Sequence, residues 1–148
     1  MKLSDEVIIP VPRIKVWEAM NDAELLRQCI PGCEEIIKKS DTEMEAKVTV
    51  KMGPVKASFK GAVTLSELDP PNGYRISGEG KSMMGGAVGG AHVRLEDVPE
   101  GTRLTYDVDA QVTGKIASLA QRFIEPTAKQ LSAQFFESFA KLAANEPG

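Results

Sequence analysis

Residues 43–65 read EMEAKVTVKMGPVKASFKGAVTL, and apolar and polar residues alternate through most of the stretch. Met44, Ala46, Val48, Val50 and Met52 share one face, while Glu43, Glu45, Lys47, Thr49 and Lys51 share the other. Successive side chains of a strand point to opposite sides, so a period of two marks a strand with one dry and one wet face. Gly53-Pro54 interrupts the pattern as a turn. Beyond it Val55, Ala57, Phe59, Gly61, Val63 and Leu65 continue inward, with Lys56, Ser58 and Lys60 outward. The two segments form a hairpin.

The alternation persists downstream. Pro70-Pro71-Asn72-Gly73 is a turn signal, and Tyr74, Ile76, Gly78 and Gly80 then share one face of a third strand. Met83-Met84-Gly85-Gly86 breaks that run before Ala87, Gly89, Ala91, Val93 and Leu95. Pro99-Glu100-Gly101 leads into Leu104, Tyr106, Val108, Ala110 and Val112. One-sided alternation of this kind belongs to an antiparallel sheet packed on a core through one face.

Upstream, Val7-Ile8-Ile9 reads as a first strand stopped by Pro10 and Pro12. Ile14, Val16, Trp17 and Met20 then fall at helical spacing, with Pro12 suited to the first turn and an end near Asn21. Asp22 can cap a second short helix carrying Leu25, Leu26 and Ile30, which Pro31-Gly32 ends. Glu34-Glu35 and Lys38-Lys39 read as surface charge.

The last third changes to helical period: Ile116, Leu119, Ala120, Phe123, Ile124, Ala128, Leu131, Phe135, Phe139 and Leu142 form one stripe. Pro126 lies inside it and is expected to kink or divide the helix, because it removes a backbone donor and crowds the preceding turn. The pattern therefore predicts an α+β domain spanning 1–148: a curved antiparallel sheet of six to seven strands over a long C-terminal helix, with two short helices after the first strand.

Composition narrows the function. The net charge is −3 and the basic residues are interspersed with acidic ones, whereas phosphate backbones call for a concentrated positive field, so no nucleic-acid partner is expected. No apolar run approaches the roughly 20 residues that span a bilayer, and the first residues lack a signal-peptide core, so a cytoplasmic protein is expected. Cys29 and Cys33 stand in a C-x-x-x-C spacing that matches neither paired zinc modules nor C-x-x-C redox sites; reduced packing thiols are expected.

Three segments carry a family resemblance: Leu26-x-x-Cys29-Ile30-Pro31-Gly32-Cys33-Glu34, Met52-Gly53-Pro54-Val55-Lys56-Ala57-Ser58-Phe59-Lys60-Gly61, and Gly85-Gly86-Ala87-x-Gly89-Gly90-Ala91. With the order of elements, they resemble the carbon monoxide dehydrogenase CoxG family within the START and Bet v 1-like (SRPBCC) superfamily. The resemblance implies a helix-grip fold. It also implies a non-catalytic accessory role in assembling a molybdenum-containing hydroxylase or bringing it to the membrane, with that hydroxylase or its maturation factors as partner. Some relatives carry a membrane-reaching extension, whereas this sequence runs only to Glu146-Pro147-Gly148 beyond the helix. A peripheral contact at the inner membrane face is the expectation.

Catalytic inventory is poor. His92 is the only histidine and alternates onto the polar face with Arg94 and Glu96, which excludes a multi-histidine metal site or a serine–histidine pair. Asp107 and Asp109 share a wet strand face. The Gly85–Gly90 run lacks both the G-x-x-x-x-G-K-[ST] pattern and a following helix, so it is no phosphate loop. No catalytic residue, metal or cofactor is expected.

Inner-face Gly78, Gly80, Gly89 and Ala91 instead suggest space above the sheet, the competing account being tight backbone packing against the helix. Met83 and Met84 at its mouth suit an irregular apolar guest. The predicted cavity has walls of Val48, Val50, Phe59, Val63 and Ile76, with Gly78, Gly89, Val93, Tyr106 and Val108 across the sheet. Phe123, Leu131 and Phe135 come from the helix. The reading is a binding protein for a lipophilic, quinone- or lipid-like molecule. The alternative is a small polyketide cyclase or dehydratase with Tyr74, Tyr106 or an inward Asp as acid or base, and it requires a polar group in the cavity.

Overall fold

A computed structural model describes residues 1–144, except for the side chains of residues 119–121. Glu146-Pro147-Gly148, and the side chains of Leu119 and Ala120 in the helical stripe, lie outside the described residues. The elements in order are β1 (Lys2–Ile9), α1 (Arg13–Met20), α2 (Ala23–Cys29), β2 (Cys33–Lys38), β3 (Glu43–Met52), β4 (Val55–Asp69), β5 (Gly73–Ser82), β6 (Gly85–Val98), β7 (Gly101–Val112) and α3 (Glu125–Ala144). The strands form one seven-stranded sheet in the order β1-β7-β6-β5-β4-β3-β2, and every neighbouring pair is antiparallel. Chain reversal is local except where β1 closes onto β7.

The register carries the alternating pattern intact from strand to strand. Tyr74 stands opposite Val93 and Val93 opposite Tyr106. Leu65 faces Ile76, Ile76 faces Ala91, and Ala91 faces Val108. Lys56, Lys60 and His92 are exposed on the other face, and Lys47 is half-buried there, 3.5 Å from Glu34. A one-residue slip would have exchanged the two faces.

The turns behave as their residues dictate. Gly53, at φ +58°, takes the left-handed conformation that the tight β3–β4 turn needs. The Asp22 side chain accepts from the Leu25 backbone N–H at 3.1 Å and starts α2. Pro12 stands just outside α1 as its N-cap rather than in the first turn, with its carbonyl accepting from Lys15 and Val16.

Three expectations change. The first strand is β1, eight residues instead of three. β2 is a strand where charge alone was expected; its Ile36 is half-buried between exposed Glu35 and Ile37. Pro126 does not kink a long helix. It lies in the first turn of α3, where its missing N–H costs nothing, and the chain before it forms a 3-10 turn over Gly114–Leu119 and a π turn over Ala120–Ile124.

Two apolar clusters form. The larger joins β1, α1 and α2 to the middle of the sheet and the C-terminal part of α3, around Ile9, Val16, Leu95, Leu104 and Phe139. The smaller gathers Met52, Ala57, Ile116 and Ile124 at the β3–β4 turn. No helix among the described residues is long and apolar enough to cross a membrane.

Candidate functional site

Small residues lie side by side across the concave face: Gly78 pairs with Gly89 and Gly89 with Ala110, while Gly61 pairs with Gly80 and Gly80 with Ala87. Inner-face side chains converge where a sheet curves, so small residues permit the bend. Gly89 is an extreme case. A Cβ there would lie 2.5 Å from the Asp109 carbonyl oxygen and 2.7 Å from the Ala110 Cα. The expectation that Gly89 leaves volume is therefore corrected: its missing side chain admits the backbone of β7. At Gly78 a Cβ would come within 3.1 Å of the Ala62 carbonyl. The packing is tight, as the competing account held, but against neighbouring strands and not against the helix.

The other predicted wall residues divide between the clusters. Val63, Ile76, Val108 and Phe135, all half-buried, pack on the larger one with buried Val93 and Tyr106. Val50, Phe59, Met84 and Phe123 pack on the smaller one. Val48 stands opposite Phe59 and Cys33, half-buried, and Leu131 is half-buried on α3. Met83 does not line the space: it is fully exposed at the β5–β6 turn, because only its neighbour Met84 turns inward.

The space follows the helix. From Glu125 to Ser138 no residue of α3 is buried; Leu131, Phe135 and Phe136 remain half-exposed, and burial begins only at Phe139 and Ala143. Grooves run on both sides of this loosely seated segment. One, of about 740 Å³, separates it from β1 and is lined by Leu3, Val7, Tyr106, Ser132 and Phe136 among others. The second, of about 390 Å³, lies between α3 and the Gly32 and Thr49–Gly53 segments, with Val50 and Leu131 in its walls.

Of the polar groups in the first groove, sequence reasoning named Tyr106 but not Asp5 or Ser132. Asp5 stands opposite Tyr106 in the register, so it shares the inner face at the sheet edge. Leu3, Asp5, Val7 and Ile9 do alternate, but the carboxylate breaks the apolar series that would have revealed the full strand. Tyr106 stacks on Phe136 at 5.4 Å, one helical turn beyond Ser132. Burial pushes the Tyr106 phenol above its ordinary pKa; the Ser132 hydroxyl opposes this and the Asp5 charge reinforces it. The phenol is thus a neutral donor.

Elsewhere polar groups are structural. Tyr74 is buried against Trp17 at 5.5 Å and donates to the Met20 carbonyl at 3.5 Å; burial raises its pKa strongly. His92 and Arg75 meet at 2.6 Å on the exposed face, and Asp107 accepts from Ser4 at 2.6 Å. Cys29 is a buried free thiol pushed up to about 11 by desolvation, and half-buried Cys33 is also raised, mainly by desolvation. Among the described residues no three His, Cys, Asp or Glu side chains gather as a metal site.

Solved structures share this architecture. A conserved protein from Geobacillus kaustophilus superposes with a TM-score of 0.91 at 24% identity, over 98% of this chain and 96% of the other. The ZhuI aromatase/cyclase from Streptomyces sp. R1128 gives 0.69 at 15% identity, covering 97% and 93%. Ara h 8.0201 gives 0.66 at 17%, covering 99% of each chain. At these identities the likeness establishes the helix-grip, Bet v 1-like fold. Comparison with curated protein sequences gives no match. Residues 6–144 match the family of CoxG, the G component of carbon monoxide dehydrogenase, and the chain belongs to that family.

Proposed function

We propose that this chain is a non-catalytic accessory protein that holds a lipophilic, quinone- or lipid-like molecule between its sheet and α3, in the service of a carbon monoxide dehydrogenase-type molybdenum hydroxylase. The observation that carries the ligand reading is the absence of buried residues in α3 from Glu125 to Ser138, beside grooves whose walls include Leu3, Val7, Val50, Leu131 and Phe136. The apolar side chains in these groove walls stay in contact with water. Apolar surface left in contact with water costs about 25 cal/mol per Å², so a lipophilic guest covering these side chains gains what the fold itself leaves unused. Family membership supports the hydroxylase as partner.

A peripheral membrane contact is supported by the end of the sheet that carries the β3–β4 and β5–β6 turns. Met83 projects fully into solvent there. On the outer face Lys51 stands opposite Lys56, and Lys60 opposite both Lys47 and Lys81. Like charges directly across a strand pair are destabilising, and an anionic surface relieves them. The cyclase alternative needs an acid or base in the space. Tyr106 and Asp5 meet there on the inner face, with Glu6, Glu137 and Lys129 also in the lining, and a neutral phenol beside an exposed carboxylate makes a binding element before it makes a catalyst.

Organic extraction of freshly purified protein followed by mass spectrometry tests the ligand reading. A lipophilic molecule in stoichiometric amount is expected. A ligand-free native mass spectrum, together with no uptake of a fluorescent apolar probe, would refute it. Co-purification of a molybdenum hydroxylase with tagged protein tests the partner.

A further inference from the structure

The groove between β1 and α3 is not uniformly apolar. Leu3, Val7 and Phe136 form greasy walls, but Tyr106 and Ser132 bring two hydroxyls to one place on them. Around these the lining holds three carboxylates, Asp5, Glu6 and Glu137, against a single cation, Lys129. Lys129 itself lies 3.8 Å from Glu125, while Glu6 lies 3.4 Å from Arg103 and Glu137 3.7 Å from Lys141, so the charge that bears on the groove is that of Asp5. Asp5 turns one oxygen back to accept from the Glu6 N–H at 2.8 Å, which keeps its charge at the groove edge and blunts the otherwise open backbone of an edge strand.

We propose that this groove receives the oxygen-bearing head of a neutral, otherwise apolar molecule, with the Tyr106 and Ser132 hydroxyls donating to a carbonyl or hydroxyl oxygen. The inference rests on the ligand reading above and adds the ligand's chemical class. Hydroxyls set on an apolar wall reward a matching acceptor. A guest without one leaves the two hydroxyls only each other as partners and forgoes the added bond, which is how small numbers of polar groups in greasy pockets confer selectivity. The Asp5 carboxylate stands opposite Tyr106, so a fatty-acid head meets repulsion there while an uncharged ketone or phenol does not. A phenol is protonated at neutral pH at its ordinary pKa, and burial raises that of Tyr106 further, so the donor is available.

The test uses three naphthalenes of matched shape, 2-acetyl, 2-isopropyl and the 2-carboxylate, titrated at neutral pH into the parent protein, Tyr106→Phe, Ser132→Ala and Asp5→Asn. Tyr106→Phe preserves the ring that stacks on Phe136, and melting curves confirm that each variant is folded. The quantity read is the affinity for the ketone relative to the isopropyl compound, which cancels differences in hydration. This ratio should fall about fivefold in Tyr106→Phe, the worth of one neutral hydrogen bond, and should also fall in Ser132→Ala. The carboxylate should bind the parent more weakly than the ketone and gain affinity in Asp5→Asn. An unchanged ratio in both hydroxyl variants, with the parent binding ketone and isopropyl compound, overturns the head-group assignment alone. No binding of any of the three by the parent overturns the ligand reading with it.

Discussion

Gly89→Ala adds one methyl group to the concave face and should be among the most damaging small substitutions in the sheet. Its Cβ would sit 2.5 Å from the Asp109 carbonyl oxygen, 2.7 Å from the Ala110 Cα and 2.9 Å from the Ala110 Cβ. Two of these are backbone atoms of the adjacent strand, so relief requires β7 to move and its ladder with β6 to loosen. Overpacking of this kind costs typically about 1–3 kcal/mol, and the rigid neighbours place Gly89→Ala at the upper end. Gly80→Ala is the matched control, since its Cβ would meet nothing nearer than the Phe59 ring at 3.7 Å. There the loss of unfolded-state freedom should stabilise by up to about 1 kcal/mol. Urea unfolding of both variants should therefore separate them by about 2–4 kcal/mol at unchanged m-value. Equal midpoints for the two variants would refute the claim that Gly89 exists for close backbone approach, and would restore the idea that it leaves space. If the claim holds, Gly89→Leu is an unfolding mutation.

Three further outcomes follow from particular contacts. Cys29 is a buried thiol whose pKa rises from about 9 to about 11, so the folded state favours the protonated form; stability is intact below pH 9 and falls by about 2–3 kcal/mol as pH climbs through 11. Thermal melts should show a flatter alkaline decline in Cys29→Ala than in the parent, and parallel curves would contradict this. Asp22→Ala deletes the cap on α2 and should cost about 1 kcal/mol in a denaturation series, with Asp22→Asn largely neutral. Met83→Asp, and separately Lys51 and Lys56 to Glu, should reduce sedimentation with vesicles containing anionic lipid but leave neutral vesicles and melting temperature unaffected; retention of binding in both variants would remove the turn-bearing end as the contact surface.

Most of the sheet was legible because β3 to β7 each keep one wet side, and alternation is visible wherever polar and apolar residues trade places. It failed at the two edges of the sheet. In β2 the charged Glu34, Glu35 and Lys38 occupy both faces at an edge where neither is deeply buried, so charge conceals the strand. In β1 the inward Asp5 interrupts the apolar series, although that carboxylate is a groove residue. Before α3, a stripe at helical period cannot distinguish a 3-10 or π turn from α-helix, because several helical windings bring apolar residues to one side. The inner-face glycines were correctly placed, but the choice between open space and tight packing was not legible: Gly89 admits the neighbouring backbone while Gly80 does not need to, and a sequence shows which face a glycine occupies but not how close the next strand approaches. The inward placement of Val63, Ile76, Val108 and Phe135 was recoverable from periodicity alone, although none of the four lines the grooves beside α3. Ser132 and Phe136 were not, because they lie beside the main stripe and are singled out only when β1 closes the sheet.

The division of the core into two clusters bears on how such a protein can open without unfolding. The larger cluster fixes α3 at its C-terminal end through Phe139 and Ala143. The smaller one fixes the chain just before the helix through Ile116 and Ile124. Between these anchors lie about fourteen residues of α3 with none buried, roughly 20 Å of helix at 1.5 Å per residue. A helix held at both ends can shift sideways over that span at the expense of half-buried contacts only, while the hydrogen-bonded ladder beneath it stays intact. Segments with few buried apolar contacts are the ones that move at low free energy. The curved sheet supplies the complementary rigidity: close backbone approach at Gly89 leaves β6 and β7 little freedom to part. Opening is thereby assigned to the helix side and shape to the sheet side, and the Tyr106–Ser132 pair spans the boundary between them, with one hydroxyl on the fixed wall and one on the movable one.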